Sequence, residues 1–237
     1  MVFGKRTAVM LSVALAAAML GTVLFGTREY ISASTEAAEQ RRIIILDAGH
    51  GGFDGGAVAS DGTVEKDINL KIALKLSAFL KQAGFDVVMT REDDVGTEDS
   101  ESERISSRKK SDLRNRLGLM EKYPESVFVS IHLNKFTTSA AIGTQVFYGP
   151  KNEESKKLGE FIQQSVIKLI QPENKRVNKQ ANSNTFLLYN AEIPAVLVEC
   201  GFLSNTSELK KLKTEEYQAE MAFGIFCGIL DYYSKGE

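Results

Sequence analysis

The stretch Ile43-Ile44-Ile45-Leu46-Asp47-Ala48-Gly49-His50-Gly51-Gly52 decides how the rest of the chain is read. Four consecutive apolar residues between polar neighbours predict a short strand buried on both faces, as in parallel sheets. The run passes into a loop with five glycines in the eight residues from Gly49 to Gly56. Such a loop needs positive φ angles or close approach of its backbone to another group. A phosphate-cradling loop would show a Gly-x-Gly-x-x-Gly register or a Walker lysine, and this stretch has neither; His50 stands in its middle.

Working outward, residues 86–89, 127–131 and 195–198 repeat the pattern of a short apolar run with a polar boundary, and 144–148 and 186–189 complete a sheet of about six strands. Residues 65–83 carry the stripe Ile68, Ile72, Leu76, Phe79, Ala83 at a period near 3.6, ended by Gly84, and 107–123, 153–170 and 214–233 read as further helices. Strands alternating with helices predict a single α/β domain with a mixed, largely parallel sheet flanked by helices on both faces. Two segments fall outside this scheme. Residues 92–103 are acidic and Ser-rich, predicting a solvated, mobile loop, and 171–184 predict a long polar loop near the site.

The chain has 237 residues, 43% hydrophobic and 25% charged, which suits one domain with a short appendage and excludes a disordered polyampholyte or a polytopic membrane protein. With 29 Lys+Arg against 31 Asp+Glu, nothing in the charge points to nucleic acid. At the N-terminus Lys5 and Arg6 precede an apolar run from Ala8 to Phe25, about 27 Å as a helix. This reads as an export signal or an uncleaved membrane anchor over residues 1–34, with a linker at 35–41 and the folded domain at 42–237. The domain is thus expected outside the cytoplasmic membrane, attached to it only through the N-terminal segment.

Chemistry collects at the ends of the strands. His50 follows the first run and His132 ends the third, and these are the two histidines of the chain. In open α/β sheets ligands bind beyond the carboxyl ends of the strands, so the two imidazoles are expected on the same edge. Glu65 extends the helical stripe from Ile68 toward that edge, where a buried carboxylate needs a cation. His, Glu and His are the donors of a catalytic zinc site with its fourth position open. Glu199 directly follows Val196-Leu197-Val198, in apolar surroundings that should raise its pKa and suit it to proton transfer. Asp54 and Asn134 are candidates to orient a ligand imidazole or touch substrate, with a plain turn role as the equal alternative for Asp54. Arg91 and Arg116 read as structural ion-pair partners, and Cys200 and Cys227 as buried hydrophobes, with Cys200 as nucleophile the weaker alternative.

On these residues the chain resembles the zinc-dependent N-acetylmuramoyl-L-alanine amidases of the Amidase_3 family, over about residues 42–233. The markers are Leu46-Asp47-Ala48-Gly49-His50-Gly51-Gly52, Glu65-Lys66-Asp67-Ile68-Asn69-Leu70, Thr90-Arg91, Ser130-Ile131-His132-Leu133-Asn134 and Pro194 through Asn205. The resemblance implies zinc held by His50, Glu65 and His132, Glu199 as the catalytic carboxylate, and peptidoglycan as substrate, cut between N-acetylmuramic acid and L-alanine. Residues 111–116, the Leu133-Asn134-Lys135-Phe136 continuation and the single-domain layout are most similar to the germination-specific, spore-cortex (CwlD-type) branch, associated with muramic δ-lactam formation. The chain departs from many relatives where Leu117-Gly118-Leu119 follows Arg116, which bears on the packing of that helix. Without wall-binding repeats after the domain, targeting must come from the domain, the N-terminal segment or a regulatory protein partner. A non-catalytic peptidoglycan-binding module and a zinc peptidase acting within the stem peptide are the alternatives.

Overall fold

The computed structural model describes residues 42–99 and 104–235. The expected export segment and linker lie outside the described residues. Among the described residues no helix is long and apolar enough to cross a membrane.

Six strands form one sheet: β1 (Ile43–Ala48), β2 (Asp86–Met89), β3 (Val127–Asn134), β4 (Gln145–Tyr148), β5 (Lys179–Gln180) and β6 (Ala195–Phe202), in the order β2-β1-β3-β6-β4-β5. β2, β1, β3 and β6 are parallel, whereas β4 runs antiparallel to β6 and carries β5 parallel to itself. The mixed, largely parallel sheet expected from sequence is therefore present. The helices are α1 (Glu65–Gln82), α2 (Ile105–Lys122), α3 (Glu154–Leu169), α4 (Phe186–Asn190), α5 (Thr206–Leu212) and α6 (Glu215–Lys235).

Two apolar layers cover the sheet. On one face α1, α3 and α6 pack with Ile44, Leu46, Val129 and Val198; on the other, Leu113 and Leu117 of α2 and Leu187 and Leu188 of α4 pack with Ile45 and Phe128. Successive residues of β1 thus serve opposite layers, which is why its run is continuously apolar. α1 buries Ile68, Ile72, Leu76 and Leu80, so the stripe ends on Leu80, with Phe79 on its flank and Ala83 exposed. α3 and α6 approach backbone to backbone at Gly228, where a Cβ would lie 2.5 Å from Ile162 Cα. Any larger residue there would force the helices apart. α2 runs unbroken through Gly118, where a Cβ would meet nothing within 4 Å.

Two expectations need correction, and one helix was not foreseen. The run 186–189 is helical: Phe186 and Tyr189 are exposed while Leu187 and Leu188 are buried, a helical-turn pattern that cannot alternate across a sheet. Its place as sixth strand is taken by β5, from within the expected loop 171–184. The described part of the acidic loop, residues 92–99, is pinned rather than free: Asp94 meets Lys66, Glu98 meets Arg108, and Thr97 bonds Asp112. The helix α5 was missing from the sequence reading, although Asn205 caps it by accepting from the N–H groups of Ser207 and Glu208. The Asn-x-x-Glu spacing at Asn205 and Glu208 was its signal.

Candidate metal centre

β1 connects to β2 on one side and neighbours β3 on the other, so the gap beyond β1 and β3 is the switch point at which open α/β sheets bind ligands. His50 leaves β1 there and His132 lies near the end of β3, their ring centroids 4.9 Å apart. α1 begins at the same edge and buries Glu65 in its first turn. One donor atom from each of His50, Glu65 and His132 lies within 4.8 Å of the others. Glu65 Oε1 is 3.0 Å from His132 Nδ1 and 3.3 Å from His50 Nε2. It also accepts from the Leu133 N–H and the Asn69 amide, while Oε2 accepts from the Ala57 N–H.

The surrounding residues hold this cluster in place. Asp54 Oδ2 sits 3.0 Å from His50 Nδ1, which directs His50 Nε2 toward Glu65. His50 adopts φ 63°, the one non-glycine residue with positive φ among those described. This αL geometry is held from behind by two buried arginines. Arg91 donates to the carbonyls of Ala48 and Gly49, and Arg116 to those of Ala48 and His50. Gly49 lies flat against the His132 ring, where a Cβ would fall 2.3 Å from Nε2. Arg116 also pairs with Asp47 and Asp112, the ion-pair role expected of it, and Asp47 further accepts from Ser130 and Thr90. Burial opposes ionisation of Asp47, but Arg116 and the hydroxyl donors outweigh it and lower its pKa.

Electrostatics divide the acids into two kinds. Burial would raise the Glu65 pKa, yet hydrogen bonds from both imidazoles hold it far below the usual carboxylate range. Burial would likewise lower His50, but Asp54 and Glu65 raise it to about 9. Glu199 behaves oppositely. The sequence reading put it just past a strand; it is in fact inside β6, because β3 and β6 continue pairing beyond the end of β1, in a register that sets Glu199 directly opposite His132. The residue is partly exposed overall, but its Oε2 is inaccessible to solvent and has no hydrogen-bond partner. Burial pushes this carboxyl up to about 7, against the pull of His132. Cys200 is fully buried, and burial pushes its thiol well up, which removes the nucleophile alternative.

Asp54 thus contacts the His50 ring, and it also accepts from the Gly56 N–H within its own turn. Asn134 marks an irregularity in the β3 and β6 pairing, and its carbonyl accepts the Leu203 N–H. The sequence reading missed Asn69, which is fully buried and ties Glu65 to the Gly49 carbonyl; its position four residues after Glu65 on one helix face was the available signal.

The N-acetylmuramoyl-L-alanine amidase family (Amidase_3) matches residues 44–231 of this chain. The chain belongs to that family. It is 37% identical over 194 residues to the germination-specific N-acetylmuramoyl-L-alanine amidase of Bacillus subtilis, covering 82% of this chain and 81% of the relative. Among solved structures, the CwlD amidase of Clostridioides difficile in complex with the GerS lipoprotein is 41% identical, with a TM-score of 0.79 over 82% of this chain and 99% of that one. The amidase AmiC2 of Nostoc punctiforme is 29% identical, with a TM-score of 0.70 over 81% and 97%. The amidase described here shares its α/β fold with these proteins and, like them, is a peptidoglycan hydrolase.

Proposed function

We propose that His50, Glu65 and His132 hold a zinc ion and that Glu199 is the proton-transferring carboxylate in hydrolysis of the amide between N-acetylmuramic acid and the L-alanine of the stem peptide. The donor set fits zinc: two nitrogens and one carboxylate oxygen from rigid elements, with Asp54 turning one imidazole inward. The observation that carries the reading is the buried, unpartnered Glu199 Oε2 opposite His132. A buried polar atom without a partner costs stability and calls for an explanation, and the His50, Glu65 and His132 cluster beside Glu199 supplies one.

Bound zinc supplies Lewis acidity, acidifying water and polarising the scissile carbonyl. The chain's own residues do the rest. Glu199, poised near neutrality, takes a proton from the attacking water onto its carboxylate and delivers it to the departing amine. Asp54 orients His50, and Arg91 and Arg116 keep its backbone in the αL turn. Asn69 and the Ala57 and Leu133 N–H groups fix Glu65.

Its relatives include a germination-specific enzyme and a CwlD solved with a lipoprotein, so we assign this chain to removal of stem peptides from spore-cortex peptidoglycan, outside the cytoplasmic membrane and assisted by a protein partner. The test is incubation of the zinc-loaded chain with cortex-type peptidoglycan and mass analysis of the products. Free stem peptides with an L-alanine amino terminus are expected. Fragments cut inside the stem would identify a peptidase, and intact polymer a binding module.

A further inference from the structure

Next to the proposed metal centre lies a cavity of about 230 Å³, with His50 and His132 on one wall and Lys109, Leu113 and Leu187 of α2 and α4 on another. Besides the two imidazoles, two basic side chains line it, Arg116 and Lys109. Arg116 has no donor left to offer. Its Nη1 serves Asp47 and Ala48, its Nη2 His50 and Asp112, and its Nε Asp112 again, which accounts for all five N–H groups. Lys109 differs. Its side chain is 49% exposed and its Nζ lies 3.0 Å from Asp54 Oδ1, so an ammonium with three donors keeps capacity toward the cavity.

The three carboxylates on the wall are all engaged within the protein. Asp47 and Asp112 share Arg116 and take further hydrogen bonds from Ser130, Thr90 and Thr97, and Asp54 lies between His50 and Lys109. Lys109 is also tethered close to the chemistry, since only the Asp54 carboxylate, with contacts of 3.0 Å on each side, separates its Nζ from the His50 ring. In a stem peptide the second residue after the scissile carbonyl ends, when γ-linked, in an α-carboxylate that is either free or amidated. Two extended residues reach about 7 Å, about the width of a cavity of 230 Å³.

We infer that Lys109 receives this carboxylate and makes the enzyme selective for stems whose second residue is free rather than amidated. The inference rests on the amidase reading above, because it needs the scissile carbonyl at the metal centre.

The test uses the zinc-loaded full chain and two glycan oligomers that differ only in carrying L-alanyl-D-isoglutamate or L-alanyl-D-isoglutamine stems. The wild type is expected to favour the acid in kcat/KM by about tenfold, the scale of one charge-assisted hydrogen bond. Lys109→Met should bring the ratio close to one, and Lys109→Glu should reverse it, both with unchanged circular dichroism. Equal wild-type kcat/KM on the two oligomers, or a preference that survives both substitutions, would overturn the selectivity while leaving the amidase reading intact. Cleavage of neither oligomer would instead sink the amidase reading, and the selectivity with it.

Discussion

Replacing Glu199 by Gln should make the metal-free protein gain stability relative to wild type as pH rises, at the cost of its chemistry. Burial holds this carboxyl at about 7 against an ordinary value of 4.5. Between those values the folded chain binds the proton more tightly than the unfolded chain does, so wild-type stability falls with rising pH through this group. The loss is complete above pH 7 and amounts to about 3 kcal/mol. Its sign is opposite to that of an ion-paired carboxylate such as Asp47, whose stabilisation is present at neutral pH and lost in acid. A glutamine cannot ionise and escapes the penalty. Its amide, in a site with no partner for Oε2, costs about 1–3 kcal/mol, but that cost is the same at every pH. The variant's stability relative to wild type should therefore rise by about 3 kcal/mol from pH 4.5 to pH 8, as read by urea unfolding in the presence of a chelator. At the same time the zinc-loaded variant should keep its metal and lose turnover by about 100-fold or more. Parallel stability profiles for the two proteins would show that burial does not raise the Glu199 carboxyl in the folded state, and the reading of it as a proton carrier poised near neutrality would fall.

Three further outcomes follow from the same geometry. Asp54→Ala, which deprives His50 Nδ1 of its acceptor, should weaken zinc by about 10- to 100-fold in competition with a chromophoric chelator; unchanged affinity would mean that Asp54 is only a turn residue. Gly49→Ala places a methyl group 2.3 Å from His132 Nε2 and should abolish metal retention through gel filtration while the far-ultraviolet circular dichroism is preserved, so a variant that still carries stoichiometric zinc would contradict the packing described. Arg116→Met leaves Asp47 buried without its cation and should destabilise the fold by about 3–5 kcal/mol in urea; Arg116→Lys should recover only part of this, because a single ammonium cannot reach Asp47, Asp112 and the His50 carbonyl together.

The alternation of continuous apolar runs with 3.6-period stripes made the α/β class and four of the six helices among the described residues legible, because each signal lies within one element and reflects which faces that element buries. The two histidines, Glu65 and the glycine loop were legible for a similar reason: each sits at the end of an element whose direction the crossover rules determine. Short elements were not. α4 is five residues and β5 two, too few for a period to declare itself, and their state follows from what packs over them. The opposition of Glu199 and His132 depends on how far β3 and β6 pair beyond β1. That register joins residues far apart in the chain, and no local pattern encodes it. The same holds for the arginine clamp behind His50, whose donors come from the end of β2 and from α2. The sequence determined which chemical groups could meet at this edge of the sheet. Only the tertiary structure decided that one carboxylate would be charged and shared between imidazoles while the other stayed buried and unpartnered, since that depends on how much water and how many donors the folded chain leaves beside each.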